Sequence, residues 1–179
     1  GQTVIINDSS TAATTSELNK IQAGIEAIGA SGALTYTKLT GTATSLAANT
    51  DDIIDGVAVT VDESGAASTY ATVDQINTLT TRVAAVSNAS LSYEKLNDSA
   101  TNLAAGDTSY LAGIAITIDD TNKAAATATE LNTIQTKMGQ SGSVSYTKLR
   151  DSASVLVTNI ADIVAGVAVT IIDTGVNTP

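Results

Sequence analysis

The chain has 179 residues, with 18 Asp and Glu against 8 Lys and Arg, for a net charge of −10. It contains no Cys, His, Trp or Phe, which excludes disulfides, thiolate or imidazole metal ligands, and Cys- or His-based catalysis. The acidity argues against nucleic acid and anionic membrane surfaces as partners, while 43% apolar residues set it apart from disordered chains.

The first element, at residues 3–7, is β-branched and reads as a strand. A helical period follows in Leu18, Ile21, Ile25 and Ile28, opened by a Thr14/Glu17 capping box. A strand frame built around Tyr36 comes next, at 34–39, and then a short helical stripe of Ala43, Leu46, Ala47, Ile53 and Ile54. Residues 57–61 alternate Val-Ala-Val-Thr-Val, a half-buried strand. The same order then recurs. Ile76, Leu79, Val83 and Val86 form a helical stripe behind Thr72/Gln75, followed by a Tyr93 frame at 91–96. Ala100, Leu103, Ala104, Tyr110 and Leu111 make the next short stripe, before the strand at 114–118. The third round has Leu131, Ile134 and Met138 behind Thr127/Glu130, and a Tyr146 frame at 144–149. It continues with Ala153, Leu156, Val157, Ile160, Ile163 and Val164, and closes with the strand at 167–171. No stretch reaches the ~18 apolar residues of a membrane span. No basic-then-apolar leader opens the chain, so any secretion signal is expected to have been removed or to lie outside it.

The repeat is close. From the Lys of each Tyr frame (38, 95, 148) to the Gly before the next strand (56, 113, 166) is 18 residues every time. The frames end at Asp8, Gly41, Glu63, Asp98, Asp120, Asp151 and Asp173, spaced 33, 22, 35, 22, 31 and 22. Strand and helix alternating in this way imply parallel strands joined by right-handed crossovers. The expected fold is therefore α/β: a right-handed α/β solenoid, seven parallel strands in one sheet with six crossover helices on one face. It would be a single domain over residues 1–179, with repeat copies at about 1–56, 57–113 and 114–179.

Three groups of residues stand out. One sheet face should carry Thr35, Thr37, Thr60, Ser92, Thr117, Ser145, Thr147 and Thr170, a flat and weakly polar surface. Facing in the Tyr frames has two readings. Strict alternation turns Tyr36 outward and buries Glu94, whereas the cost of burying a carboxylate turns Tyr36 inward with a bulge near Lys38. The second group is the acidic ladder. Its members either cap the backbone that follows or, at Asp62, Glu63, Asp119, Asp120 and Asp173, hold Ca²⁺ between coils; Ca²⁺ is the one candidate cofactor. The third group is terminal: Thr3, Val4, Ile5 and Ile6 at one end, Val167, Val169 and Ile171 at the other. Both are β-branched templates for edge pairing between chains.

The units 98–104 (DSATNLA) and 151–157 (DSASVLV), alternating with Val-Ala-Val-Thr-Val-type strands, resemble tandem repeats of very large secreted or surface proteins of cyanobacteria and proteobacteria, many of them adhesin-like. The resemblance implies an extracellular or cell-surface structural or adhesive role. The expected function is a repeat protein that polymerises end to end into a filament through its terminal strands, or that joins neighbouring repeats of a longer chain. The alternative is a binding module for glycan, ice or a receptor, as in an adhesin or phage-fibre segment, using the Thr/Ser/Ala face. The carboxylate pairs Asp51-Asp52 and Asp119-Asp120 do not amount to a catalytic site, so no enzyme activity is expected.

Overall fold

The computed structural model describes residues 3–29, 33–65 and 69–172. In chain order, the first unit (Gly1–Tyr93) holds β1 (Val4–Ile5), β2 (Ala13–Thr14), α1 (Thr15–Ala27), β3 (Leu34–Thr35) and β4 (Lys38–Gly41). It continues with α2 (Ala43–Ala48), a 3-10 turn at Thr50–Asp52, β5 (Ala58–Val61), α3 (Val73–Ala84) and β6 (Ser90–Ser92). The second unit (Glu94–Pro179) holds β7 (Lys95–Asp98), α4 (Ala100–Ala105), α5 (Thr108–Leu111), β8 (Ala115–Ile118) and α6 (Ala128–Met138). After these come β9 (Ser143–Ser145), β10 (Lys148–Asp151), α7 (Ala153–Thr158), a 3-10 turn at Ile160–Asp162 and β11 (Ala168–Ile171).

The helix starts follow from local chemistry. Thr14, Thr72 and Thr127 each accept the amide three residues on, and Glu17, Gln75 and Glu130 reach back to the cap amide, giving a full capping box at α1, α3 and α6. Thr42, Ser99 and Ser152 cap the short helices α2, α4 and α7 with their hydroxyls. Gly56, Gly113 and Gly166 turn the chain into β5, β8 and β11 with φ of +77°, +76° and +87°, a backbone region that costs any residue with a Cβ about 1–2 kcal/mol.

Within the first unit α2 packs on α3, and within the second α4 packs on α6. Leu39, Leu46, Val59, Ile76 and Leu79 are buried in the first unit, and Leu96, Leu103, Ile116, Leu131 and Ile134 in the second. Basic residues near the C-terminal ends of α3 and α6 donate to carbonyls of the short crossover that precedes each. Arg82 donates to the Thr50 and Ile53 carbonyls, and Lys137 to those of Ala104 and Gly106, at 2.6 Å each. Among the described residues no helix is long and apolar enough to cross a membrane.

The expected solenoid, with seven strands in one sheet, does not form. Among the described residues there are four separate sheets: β1–β3, β2–β4–β5–β6, β7–β8–β9 and β10–β11, every pair parallel. Among the described residues the α-helices number seven rather than six, because the second short crossover splits into α4 and α5. The sheets part at the Tyr frames. Each frame yields two short strands that pair in different sheets, with a break at 36–37, 93–94 and 146–147. At the 36–37 and 146–147 breaks a side chain takes the amides that a neighbouring strand would have taken. The Asp8 carboxylate accepts from the Thr37 and Lys38 amides, and the Asp120 carboxylate from those of Thr147 and Lys148. A strand whose amides are satisfied by a side chain has no donors left there for a ladder.

Candidate assembly surfaces

The acidic ladder is the most chemically explicit feature of the chain, and the structure spends much of it on backbone. Asp120 is buried; its Oδ2 accepts the Thr147 amide at 2.8 Å and the Lys148 amide at 2.7 Å, and its Oδ1 accepts the Thr147 hydroxyl at 2.6 Å. Burial pushes this carboxyl up, but the Thr147 hydroxyl, the two amides and the Lys148 charge outweigh it and hold the group below its ordinary 3.8. At Asp8 burial is likewise outweighed, by the Thr37 hydroxyl and the Thr37 and Lys38 amides. Asp62 is exposed and accepts the Ser64 amide at 3.0 Å. Asp119 accepts the Thr121 amide and pairs with Lys123 at 3.1 Å. Glu63 is half-buried, and Asp173 lies outside the described residues. No group of three or more acidic residues converges among the described residues.

The Tyr frames follow the burial argument. Tyr36 is buried and donates its hydroxyl to the Asp52 carbonyl, and Tyr146 donates to the Asp162 carbonyl at 2.6 Å, while Glu94 is exposed. Thr35, Thr37, Thr60, Ser92, Ser145, Thr147 and Thr170 are exposed and Thr117 is half-exposed. Several of these hydroxyls are engaged across strands: Ser92 donates to Thr60 and Ser145 to Thr117, each at 3.2 Å, and Thr37 and Thr147 donate to Asp8 and Asp120. The structure thus joins the hydroxyl rows to the acidic ladder, a link that spacing alone did not disclose.

The largest departure from the repeat lies at the end of the second unit. Val59 and Val61 of β5 are 1% and 5% exposed, and Ile116 and Ile118 of β8 are 2% and 3% exposed. Their equivalents on β11, Val169 and Ile171, are 38% and 57% exposed. Val167 is half-buried. Sequence reasoning picked out these strand residues and placed Val157 and Ile160 on the packed stripe of the third short crossover, where the structure leaves both exposed. Val157 stands where the earlier copies have Ala47 and Ala104, Ile160 where they have Thr50 and Asp107, and Ile172 where they have Asp62 and Asp119. All three are exposed, Val157 at 73% and Ile160 at 68%. The signal was present in the alignment of the copies: only the last one gains apolar residues at positions that are otherwise small or polar.

The first unit also leaves a strand edge open. β1 pairs with β3 over only two residues, Val4 with Leu34 and Ile5 with Thr35. Among the described residues it has no strand on its other side. Thr3 and Ile5 are exposed and Val4 and Ile6 half-buried. Beside it a groove of about 420 Å³ is lined by Ile6, Ala12, Ala13, Glu17, Lys20 and Ile21, among others. Ile21 is only half-buried, whereas its equivalents Leu79 and Ile134 are sealed. No protein-family model, curated protein or solved structure matches the chain.

Proposed function

We propose that this chain is a structural or adhesive repeat protein of the cell surface or extracellular space, one that joins further copies end to end through its terminal strands. The observation that carries the reading is the uncovered apolar surface around β11, where Val169 and Ile171 stand open at positions that the earlier copies bury. Burying such a side chain is favourable by roughly 1.5–3 kcal/mol, so a surface with several of them favours association. Among the described residues β1 and β11 each have one edge without a strand partner, which offers backbone groups for the same purpose. The absence of Cys, the acidity and the resemblance of the repeats to those of large surface proteins support the location.

Sedimentation velocity and negative-stain electron microscopy of the purified chain test this. Oligomers that lengthen with protein concentration are expected. They should also lengthen as salt rises, because copies with a net charge of −10 repel one another and salt screens that repulsion. Monomers at every concentration and salt would overturn the reading, and would move attention to the exposed hydroxyl face as a binding surface.

A further inference from the structure

We propose, resting on the end-to-end reading above, that assembly proceeds by strand replacement: β11 of one copy takes the place of β1 on β3 of the next, and α1 of that next copy covers β11. The internal repeat supplies the template. β1, β5, β8 and β11 are the same kind of strand. β5 lies between β4 and β6, and β8 between β7 and β9, whereas among the described residues β11 pairs with β10 alone and β1 with β3 alone. Each terminal strand has the neighbour that the other lacks, so a single strand in the place of both completes the pattern. β11 pairs with β10 over four residues, against two for β1 on β3.

The long helices make the same point. Gln75 of α3 donates to the Thr44 hydroxyl of α2 at 2.9 Å, and Glu130 of α6 accepts from the Thr101 hydroxyl of α4 at 2.8 Å. The equivalent residue on α1 is Glu17, which is exposed, and among the described residues no short helix precedes it. The equivalent of Thr44 and Thr101 on α7 is Ser154, which is also exposed, and among the described residues no long helix follows it. α2 packs on α3, which carries the sealed Leu79, and α4 on α6, which carries the sealed Ile134, whereas their half-buried equivalent Ile21 lines the open groove. Seating α7 there places Ser154 on Glu17 and covers the apolar residues peculiar to the last copy, Val157 and Ile160. The contact is heterologous, so it propagates unless its rotation closes a ring.

The register makes the proposal specific. Thr60 pairs with Ser92 and Thr117 with Ser145, so replacement sets Thr170 beside Thr35 of the next copy. Simple side-by-side addition of β11 to β1 would set Thr170 beside Ile5 instead. Adjacent parallel strands lie within disulfide reach, and the chain has no cysteine of its own. The test mixes full-length Thr35→Cys with full-length Thr170→Cys under oxidised glutathione, with Ile5→Cys plus Thr170→Cys as the second mixture. All three positions are exposed, and circular dichroism checks that each variant is folded. Replacement predicts mixed disulfide dimers in the first mixture, formed about tenfold faster than in the second or in either variant alone. Preferential cross-linking in the second mixture would overturn replacement and leave end-to-end assembly standing. No preference in either mixture, with the unlinked chain monomeric in sedimentation, would overturn both.

Discussion

Replacing Asp120 by alanine removes the acceptor that holds the β9–β10 break together. The wild-type carboxylate takes two backbone amides and one hydroxyl, at 2.8, 2.7 and 2.6 Å. Hydrogen bonds to a charged acceptor contribute about 1.5–3 kcal/mol each, so three set an upper bound of roughly 5–9 kcal/mol. Thr147 is exposed and Lys148 half-exposed, and water can re-solvate much of what is lost. A net loss of about 3 kcal/mol is therefore expected for Asp120→Ala, large for a single substitution. Urea unfolding followed by far-UV circular dichroism reads it directly. Asp119→Ala is the control: its partners, the Thr121 amide and Lys123, lie within four residues along the chain, and its loss should be much smaller. The effect also has a sign in pH. The native Asp120 carboxyl titrates below 3.8, so its contribution is complete above that value and disappears as pH falls through the depressed native one. The wild-type and Asp120→Ala stabilities should therefore converge in acid. A loss under about 1 kcal/mol at neutral pH, or equal losses at Asp119 and Asp120, would refute the view that a side chain replaces the ladder there.

Thr127→Ala removes one capping box and should cost about 1 kcal/mol in the same urea assay. Leu131→Ala empties a fully buried position and should cost about 2–5 kcal/mol, whereas Ile171→Lys acts at an exposed one, leaving the melt unchanged and stopping concentration-dependent sedimentation. Asp52 behaves oppositely to Asp120: burial, then the neighbouring Asp51 charge, push its carboxyl up, so the ionised form is the costly one. Asp52→Asn should therefore raise the melting temperature at neutral pH, with the gain vanishing below about pH 3.8, where the carboxyl is protonated in both states. Because Asp120 is taken up by three donors, Ca²⁺ between coils would rest on Asp62, Glu63, Asp119 and Asp173; it predicts a melt that rises in ~1 mM Ca²⁺ relative to chelator, and coincident melts would refute it.

What the residues determine by themselves is local. A threonine followed three positions later by Glu or Gln starts each long helix, since cap and box close within four residues. A glycine before β5, β8 and β11 enters the left-handed region that no Cβ tolerates cheaply, and alternating valines give β5 its buried and exposed sides. Parallel pairing follows from helical crossovers between strands. The extent of the sheets was decided elsewhere. Whether a Tyr frame continues as one strand depends on a carboxylate 29 residues upstream at Asp8 and 27 upstream at Asp120 reaching its amides, and strand pattern carries no record of so distant a partner. Burial was decided there too. Val59, Ile116 and Val169 look alike in sequence, yet only the first two are sealed. Hydrophobic burial is a property of what lies across the surface, and for Val169 no described part of the chain supplies it.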